Sequence, residues 1–329
     1  MYLLRNKFKI SLLWLCLLVS VLYTQTDYNL GEFTLSKIID GDTFRFEELK
    51  RSTRLLGIDT EETYKDTDAE IKANQLRADW NSYYHSRRDS SGEPVKIESP
   101  FGFYTWQWAK EIMKDVRKVR LEIDEINRVQ DIYGRYLVYV IAIRNDGSEF
   151  NYNVECVRNG YSPYFTKYGY SKRYHKEFTE AQNYARENRI GIWNSTDCYC
   201  YPDYDLRMEW WNQRAEQIKY FEENHAGRQN YFSMLNPSDY QQLKNMLGDT
   251  VIIFGSTSRI LNDRQPWLVK MDVTENESLE LVFFRDYNYI VEEAGLNAEM
   301  DYYYYVKGKL TEYKGRLQII IEDRKQIWR

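Results

Sequence analysis

The feature that most limits how this chain can fold is a series of short segments in which apolar and polar residues alternate, separated by loops rich in Asp and Gly. Residues 31–46 alternate in this way on either side of the turn Ile39-Asp40-Gly41-Asp42, and residues 52–58 continue the pattern. A period of two is typical of strands with one buried face, and Asp-Gly is a common turn. The first part of the chain is therefore predicted to contain a sheet of short strands.

Further elements are predicted as far as Trp193. Residues 119–126 and 136–143 have the apolar, β-branched character of strands. Helical spacing of apolar residues predicts helices at residues 101–118, 151–158 and 172–189. This order of strands and helices predicts a mainly β fold with added helices, of the α+β class.

Polar residues in the predicted loops have the chemistry that phosphodiester cleavage requires. The candidates are Asp42, Arg54, Asp59, Thr60, Glu62 and Arg135. Carboxylates and a backbone carbonyl are oxygen ligands that Ca²⁺ accepts, and arginine presents a planar fork that matches a phosphate. A carboxylate that is not a metal ligand can act as a general base or orient the attacking water.

Each motif taken alone has a structural explanation. Asp40-Gly41-Asp42 is an ordinary turn signal, Arg54 is a common kind of solvated strand residue, and residues 131–135 form an ordinary hairpin turn. The order and spacing of the three motifs together favour a functional site over this structural explanation.

From Lys37 to Trp193 the motifs resemble the thermonuclease family, whose domains are similar to staphylococcal nuclease. The resemblance implies a five-stranded barrel of the OB type. It also implies hydrolysis at the 5′-oxygen side of the phosphodiester, which leaves 3′-phosphate ends. The implied substrate is DNA, with RNA as a second substrate class, and the implied cofactor is Ca²⁺.

The same resemblance assigns roles to individual residues. The implied metal ligands are Asp42, Asp59 and Thr60, and the implied catalytic residues are Arg54, Glu62 and Arg135. Tyr168 is the best match to a family aromatic that stacks near the substrate, and Tyr133 flanks the loop of Arg135, so both are candidate substrate-binding residues, although either ring could equally serve packing.

The chain departs from the family pattern at two places. The family usually has Pro between the Thr and the Glu of the metal loop, whereas this chain has Glu61, which adds a negative charge and removes a rigid φ. The segment formed by residues 63–100 is also longer than the corresponding segment of compact family members. These residues are predicted to be a surface insertion, either neutral or acting as a lid or a substrate-selecting loop.

The remaining sequence predicts a second module. Residues 196–235 read as a linker and helical segment, and residues 236–329 contain five predicted strands with a helix between the third and the fourth. This order predicts a second OB-like β-barrel domain. Its hairpin at residues 307–316 follows the aromatic run Tyr302 to Tyr305. This combination fits either a platform for single-stranded nucleic acid or a Tyr-rich strand with solvated charges in a structural or protein-docking barrel.

The N-terminus has the pattern of a targeting segment. Three basic residues precede an apolar run at residues 10–23, so residues 1–25 are predicted to be a signal peptide or an N-terminal anchor, with lipidation at Cys16 as an alternative. The first domain then occupies residues 26–195. The chain is expected to be exported: secreted, periplasmic or attached to the cell envelope.

Cysteine is sparse. The spacing of Cys198 and Cys200 predicts no ordinary bridge between them, and either residue is expected to be able to reach Cys156 in an oxidising compartment. Three thiols and three scattered His residues give poor support for a zinc site.

The overall charge limits the kind of nucleic-acid binding that is expected. A net charge of −5 argues against a general basic coat. A local basic stripe could be formed by residues around the last helix of the first domain, although a solvated helix face explains the same residues equally well: Lys167, Lys172, Arg173, Lys176, Arg186 and Arg189. The leading hypothesis is a Ca²⁺-dependent nuclease. The alternative is a non-catalytic envelope protein with two OB-like modules that binds nucleic acid or protein, and no obligate protein partner is inferred.

Overall fold

The structure is a computed structural model that describes residues 28–88, 94–194, 196, 198–296 and 302–329. The predicted targeting segment with Cys16, and residues 89–93 of the predicted insertion, lie outside the described residues. Within the described ranges, no helix has both the length and the apolar character needed to cross a membrane.

Seven strands form the N-terminal unit, the part of the structure between residues 28 and 194. They are β1 (Asn29–Phe33), β2 (Leu35–Ile38), β3 (Phe44–Phe46), β4 (Thr53–Leu55), β5 (Val116–Glu122), β6 (Tyr136–Arg144) and β7 (Glu149–Asn151). Strands β2 and β3 form a hairpin whose turn carries Asp40 and Asp42. Strand β6 pairs antiparallel with β5 and β7 and parallel with β4, and β1 pairs with β5.

Within the described residues, five α-helices accompany these strands: α1 (Ala69–Leu76), α2 (Trp80–Arg87), α3 (Pro100–Ile112), α4 (Tyr152–Arg158) and α5 (His175–Glu187). The helices predicted at residues 151–158 and 172–189 are confirmed as α4 and α5. The helix predicted at residues 101–118 ends at Ile112, because Val116 to Lys118 pair with β6 as the start of β5.

The predicted insertion is more ordered than a surface loop. It contains α1 and α2, and Trp80 and Tyr84 of α2 are buried in a cluster with Tyr201 and Tyr204. The insertion therefore packs against the segment that follows the N-terminal unit. A separate core lies between the sheet and helices α4 and α5, with Phe44, Leu55, Val138, Tyr152 and Phe178 at its centre.

Helix α6 (Tyr204–Asn224) connects the two units of the structure. Toward the N-terminal unit, the ring of Trp211 lies 4.7 Å from that of Phe165. Toward the C-terminal unit, which comprises the described residues from 231 to 329, Phe221 stacks on Phe254 at 4.7 Å. Aromatic packing thus fixes both units to one helix.

The C-terminal unit contains eight strands and two helices among its described residues. They are β8 (Tyr231–Ser233), α7 (Pro237–Leu243), β9 (Thr250–Ser256), β10 (Arg259–Leu261), β11 (Trp267–Asp272), β12 (Ser278–Phe283), α8 (Tyr289–Glu293), β13 (Tyr303–Tyr313), β14 (Arg316–Ile320) and β15 (Ile327–Trp328). The strand order is β10-β11-β12-β14-β13-β9-β8, with β15 beside β13. The five predicted strands are confirmed, but among the described residues neither this sheet nor the first one closes into a barrel.

The prediction of an aromatic platform at Tyr302 to Tyr305 is wrong for most of the run. Tyr303, Tyr304 and Tyr305 are buried in β13, where they pack in the hydrophobic interior of the unit. Of the tyrosines near the hairpin, Tyr313 is the exposed one in the described chain. The alternation of strand residues did not reveal this burial, because β13 is covered on both faces.

The cysteine prediction is also wrong. Cys198 and Cys200 are bonded to each other, with their Cα atoms 5.2 Å apart, which is within the range that a disulfide spans. Cys156 is a free thiol buried on α4 in the core of the N-terminal unit. Cys156 lies in a different hydrophobic cluster from Cys198 and Cys200, so the free thiol is separated from the disulfide.

Candidate active site

The turn between β2 and β3 positions Asp42. The backbone carbonyl of Gly41 accepts a hydrogen bond of 2.9 Å from the hydroxyl of Tyr152, which is itself fully buried. The carbonyl of Asp42 accepts a 2.9 Å bond from the N–H of Leu55 at the end of β4. These bonds attach the turn to both α4 and β4 and hold Asp42 in a buried position.

Arg54, in the middle of β4, joins two carboxylates that are distant in the sequence. Its Nη1 forms an ion pair with Asp42, and its Nη2 forms one with Asp59. The second oxygen of Asp42 accepts a 2.9 Å bond from the N–H of Thr60. Four of the predicted site residues therefore form a single cluster of direct contacts.

The charges in this cluster shift one another's pKa values. Burial alone would raise the pKa of Asp59, but Lys96 and Arg54 hold it well below its usual range. Burial alone would lower the pKa of the Arg54 guanidinium, but Asp42 and Asp59 raise it well above its ordinary value. Asp59 and Arg54 are therefore both charged at neutral pH.

Glu62 follows the cluster without joining it directly. Its carboxylate makes no hydrogen bond to the described residues, and burial together with the charge of Asp42 raises its pKa. Its backbone carbonyl accepts a 3.0 Å bond from the N–H of Ser99, the N-cap of α3. A Cβ at Gly102 in the first turn of α3 would lie 2.0 Å from that same carbonyl, so this close approach requires glycine.

Glu61, which stands where the family pattern has Pro, is a buried structural residue with 1% exposure. One carboxylate oxygen accepts a hydrogen bond from Ser99. The other accepts bonds of 2.5 Å from the N–H of Tyr201 and 2.8 Å from the hydroxyl of Tyr204. Burial raises the pKa of Glu61 to about 7. Hydrogen bonds thus hold the loop in the absence of the rigid proline ring.

Arg135 lies in the loop before β6 and is half-buried. Its Nε and Nη2 both lie 2.7 Å from one oxygen of Asp131, whose other oxygen accepts a 2.9 Å bond from the N–H of Arg135. The guanidinium carbon lies 5.5 Å from the centre of the Tyr133 ring, which is 63% exposed. Asp131 therefore fixes the direction in which Arg135 points.

Arg54 and Arg135 line the same cavity, which has a volume of about 1120 Å³. Its walls include Arg54, Arg135, Tyr133, Tyr168 and Phe165, and the guanidinium of Arg54 lies 5.7 Å from the centre of the Phe165 ring. Tyr168 is 49% exposed. Both predicted substrate-binding tyrosines thus share a cavity with both predicted phosphate-binding arginines.

Two charged residues at the site were not predicted. Lys96, from the end of the insertion, places its Nζ 2.6 Å from Oδ1 of Asp59. Asp40 accepts a 3.3 Å bond from the N–H of Asp42, and burial together with the charge of Asp42 raises its pKa to about 6. Asp40 stands within the turn motif, so its position was a usable signal, whereas no sequence signal places Lys96 beside Asp59.

The donor set is compatible with a hard divalent cation. Asp42 and Asp59 are brought together by one guanidinium, and within the described chain the Thr60 carbonyl accepts no backbone hydrogen bond. Carboxylate and carbonyl oxygens are the ligands that Ca²⁺ takes, with water completing the shell. The described residues contain no cluster of three or more His, Cys, Asp or Glu side chains arranged around a metal. A cation held here would therefore depend on two carboxylates and backbone oxygen.

Comparison with known proteins defines the class to which this fold and site belong. The sequence model of the family described as Staphylococcal nuclease homologue matches residues 52–195. This match contains Arg54, Asp59, Thr60, Glu62 and Arg135, and Asp42 precedes it. The matched domain is OB-fold-like.

Two relatives support the match. An uncharacterized protein of Methanocaldococcus jannaschii is 31% identical over 164 residues, which cover 48% of this chain and 69% of that protein. Endonuclease YhcR of Bacillus subtilis is 27% identical over 173 residues, which cover 51% of this chain but 12% of the endonuclease. Through residues 52–195, the chain belongs to the family of staphylococcal nuclease homologues.

Proposed function

We propose that this protein is an exported, Ca²⁺-dependent nuclease that hydrolyses phosphodiester bonds of DNA, with RNA as a second substrate class. The observation that carries the proposal is the convergence of separate motifs. Arg54 pairs with both Asp42 and Asp59, and Arg54 and Arg135 line one cavity. The similarity to a protein named as an endonuclease supports the same reaction class.

Each residue has a role that follows from its surroundings. Asp42, Asp59 and the Thr60 carbonyl would hold Ca²⁺, which when bound supplies positive charge next to the scissile phosphate. Arg54 and Arg135 would bind the phosphate oxygens and stabilise the charge that develops on them.

Glu62 would take a proton from the attacking water. Its carboxylate makes no hydrogen bond to the described residues and its pKa is raised by burial and by the charge of Asp42, so it is a stronger base than an ordinary glutamate. Tyr133 and Tyr168 would stack on the bases on either side of the scissile bond, because both rings are exposed within the shared cavity.

The proposed division of the chain follows its sequence. Residues 1–25 direct export, residues 26–195 form the nuclease domain, residues 196–235 form the linker and helical segment, and residues 236–329 form an OB-like domain. The strand order of the C-terminal unit, in which β12 and β14 pair in parallel within an otherwise mostly antiparallel sheet, supports the last assignment.

The test is cleavage by purified residues 26–329. Single- and double-stranded DNA should both be degraded in Ca²⁺ at neutral to alkaline pH, with 3′-phosphate ends, and EDTA should abolish the reaction. Cleavage that continues unchanged in EDTA would contradict the metal assignment. Binding of DNA without cleavage in Ca²⁺ would favour the non-catalytic alternative.

A further inference from the structure

The cavity beside Arg54 and Arg135 extends between the two units of the structure. Its walls also include Arg128 from the N-terminal unit, Arg214 from α6 and Tyr303 from β13. The candidate active site and residues of α6 and β13, which lie outside the matched residues 52–195, therefore line the same cavity. At about 1120 Å³, this space exceeds an ordinary small-ligand pocket, which has an upper size of roughly 1,000 Å³.

Arg214 is a buried cation at the wall of this cavity. It is 1% exposed, its Nε donates a 3.1 Å bond to the carbonyl of Lys167, and its guanidinium lies 4.1 Å from the centre of the Tyr303 ring. Its Nη1 is buried without a hydrogen bond, and among the described residues no carboxylate pairs with it. A buried charge without a counter-ion is costly, and an anion in the adjacent cavity would reduce that cost.

Arg128 places a second cation at the same wall. Its Nη1 donates a 3.3 Å bond to the carbonyl of Tyr168, and its guanidinium lies 5.9 Å from the centre of the Tyr168 ring. In the described chain it too has no carboxylate partner. The Nζ of Lys167 lies 5.6 Å from the centre of the same ring. An exposed ring between cations is the arrangement that binds a base together with its flanking phosphates.

Several other cations of the predicted basic stripe are already paired with acids. Lys172 pairs with Glu125 and Glu222, and Arg173 pairs with Glu122. Two acids of the cavity wall are engaged as well: Glu222 pairs with Lys172, and Glu216 accepts a hydrogen bond from the hydroxyl of Tyr170. Arg128 and Arg214, which have no carboxylate partner among the described residues, thus lie at the wall of the cavity that also contains Tyr168.

We propose that the cleft formed by Arg128, Tyr168 and Arg214 is a binding site for single-stranded nucleic acid, which guides the strand from the catalytic arginines into the space between the two units. The proposal rests on the nuclease function above and adds a substrate preference to it. Stacking on Tyr168 requires an unpaired base, so the strand in the cleft is single. Arg128 contacts its phosphates, and Arg214 attracts them through its unpaired charge.

The experiment compares binding by the full protein and by Arg128→Gln and Arg214→Gln variants. The probe is a fluorescent oligothymidylate of 20 nucleotides, measured by anisotropy in EDTA over a series of salt concentrations. Arg158→Gln is the matched control, because Arg158 also lies over a tyrosine ring, 4.1 Å from the centre of Tyr184, but outside the cavity. Thermal melting identifies the variants that are folded.

Arg128→Gln should raise the Kd about fivefold and reduce the slope of log Kd against log salt by about 0.7, the value expected for the loss of one phosphate contact on a single strand. Arg158→Gln should change neither quantity, and a 20-base-pair duplex should bind more weakly than the single strand. Arg214→Gln should behave like Arg128→Gln if it folds, and Arg128→Gln decides the question if it does not.

An unchanged Kd and salt slope for folded Arg128→Gln would overturn the proposal, as would equal affinity for the duplex or no binding by the wild-type protein. The readout needs no cleavage. Failure of this cleft and failure of the nuclease activity would therefore be seen in separate experiments.

Discussion

The hydroxyl of Tyr204, in the first turn of α6, donates a 2.8 Å hydrogen bond to Oε1 of Glu61, which immediately precedes the proposed general base. The N–H of Tyr201 donates to the same oxygen. The loop of the candidate site is therefore attached to the helix that also contacts the C-terminal unit. In the family pattern a proline makes this loop rigid, whereas here the hydrogen bonds of Glu61 to Tyr201 and Tyr204 hold it in place.

Tyr204→Phe should weaken the attachment without creating a large cavity. The loss of a buried hydrogen bond to Glu61 should lower the free energy of unfolding by about 1–3 kcal/mol. Turnover should fall several-fold, because Glu62 would be held less firmly. Denaturant unfolding and DNA cleavage in Ca²⁺ measure the two effects. Tyr184→Phe, at an exposed ring, is the control. No change in either quantity would show that the bond holds nothing in place.

Arg54→Ala should reveal whether Arg54 neutralises the two aspartates. Without it, Asp42 and Asp59 face each other as buried carboxylates, which should lower stability by about 3–5 kcal/mol in EDTA. Ca²⁺ should restore part of this loss, because it supplies the missing positive charge. Thermal melting in EDTA and in Ca²⁺ provides the measurement, with Arg117→Ala at an exposed position of β5 as the control. Equal melting temperatures of Arg54→Ala and wild type in EDTA would contradict the role.

Lys96→Gln should increase the affinity for Ca²⁺. The Nζ of Lys96 lies 2.6 Å from Oδ1 of Asp59 and competes with a cation for that carboxylate. Removing one nearby positive charge is worth on the order of 1 kcal/mol in a partly solvated site, or about fivefold in Kd. Isothermal titration with Ca²⁺ measures this change, and Lys114→Gln, which alters an exposed lysine paired with Glu111, should leave the affinity unchanged. Weaker Ca²⁺ binding by Lys96→Gln would mean that Lys96 organises the site instead of competing for it.

Asp42→Asn and Glu62→Gln should separate metal binding from proton transfer. Asp42→Asn removes a ligand charge and should weaken Ca²⁺ binding at least tenfold, since the ligand set has two carboxylates. Glu62→Gln should retain the affinity and lose turnover. Calcium titration of both variants, followed by single-turnover cleavage at saturating Ca²⁺, provides the comparison. If Glu62→Gln lost Ca²⁺ as severely as Asp42→Asn, Glu62 would be a ligand.

Much of the site could be predicted because its residues lie in or next to short loops, and the strands that these loops connect have a clear alternating pattern of apolar and polar residues. The turn at Asp42 and the strand at Arg54 are local features, and the order of the motifs brings them together once the strands pair. The long predicted strands and helices were found for the same reason: each has enough residues for its period to be visible.

What could not be predicted depends on contacts between distant residues. Lys96 lies 37 positions from Asp59, and Glu61 lies 143 positions from Tyr204. The burial of Tyr303 and Tyr305 depends on α6, whose Ile218 and Phe221 belong to the same cluster, whereas Tyr304 packs in the separate core of the C-terminal unit. The pairing of Cys198 with Cys200 depends on a Cα–Cα distance of 5.2 Å, which their spacing in the sequence does not encode.

The most direct test of the central claim is the single-turnover cleavage rate of Arg135→Ala on DNA at saturating Ca²⁺. Asp131 fixes Arg135 in a half-buried loop without a structural role in the core, so the variant should fold and bind Ca²⁺ like the wild type. Its rate should fall by several orders of magnitude, because the lost guanidinium would stabilise the transition state specifically. A folded, Ca²⁺-binding Arg135→Ala protein that cleaves within a few-fold of the wild-type rate would contradict the account.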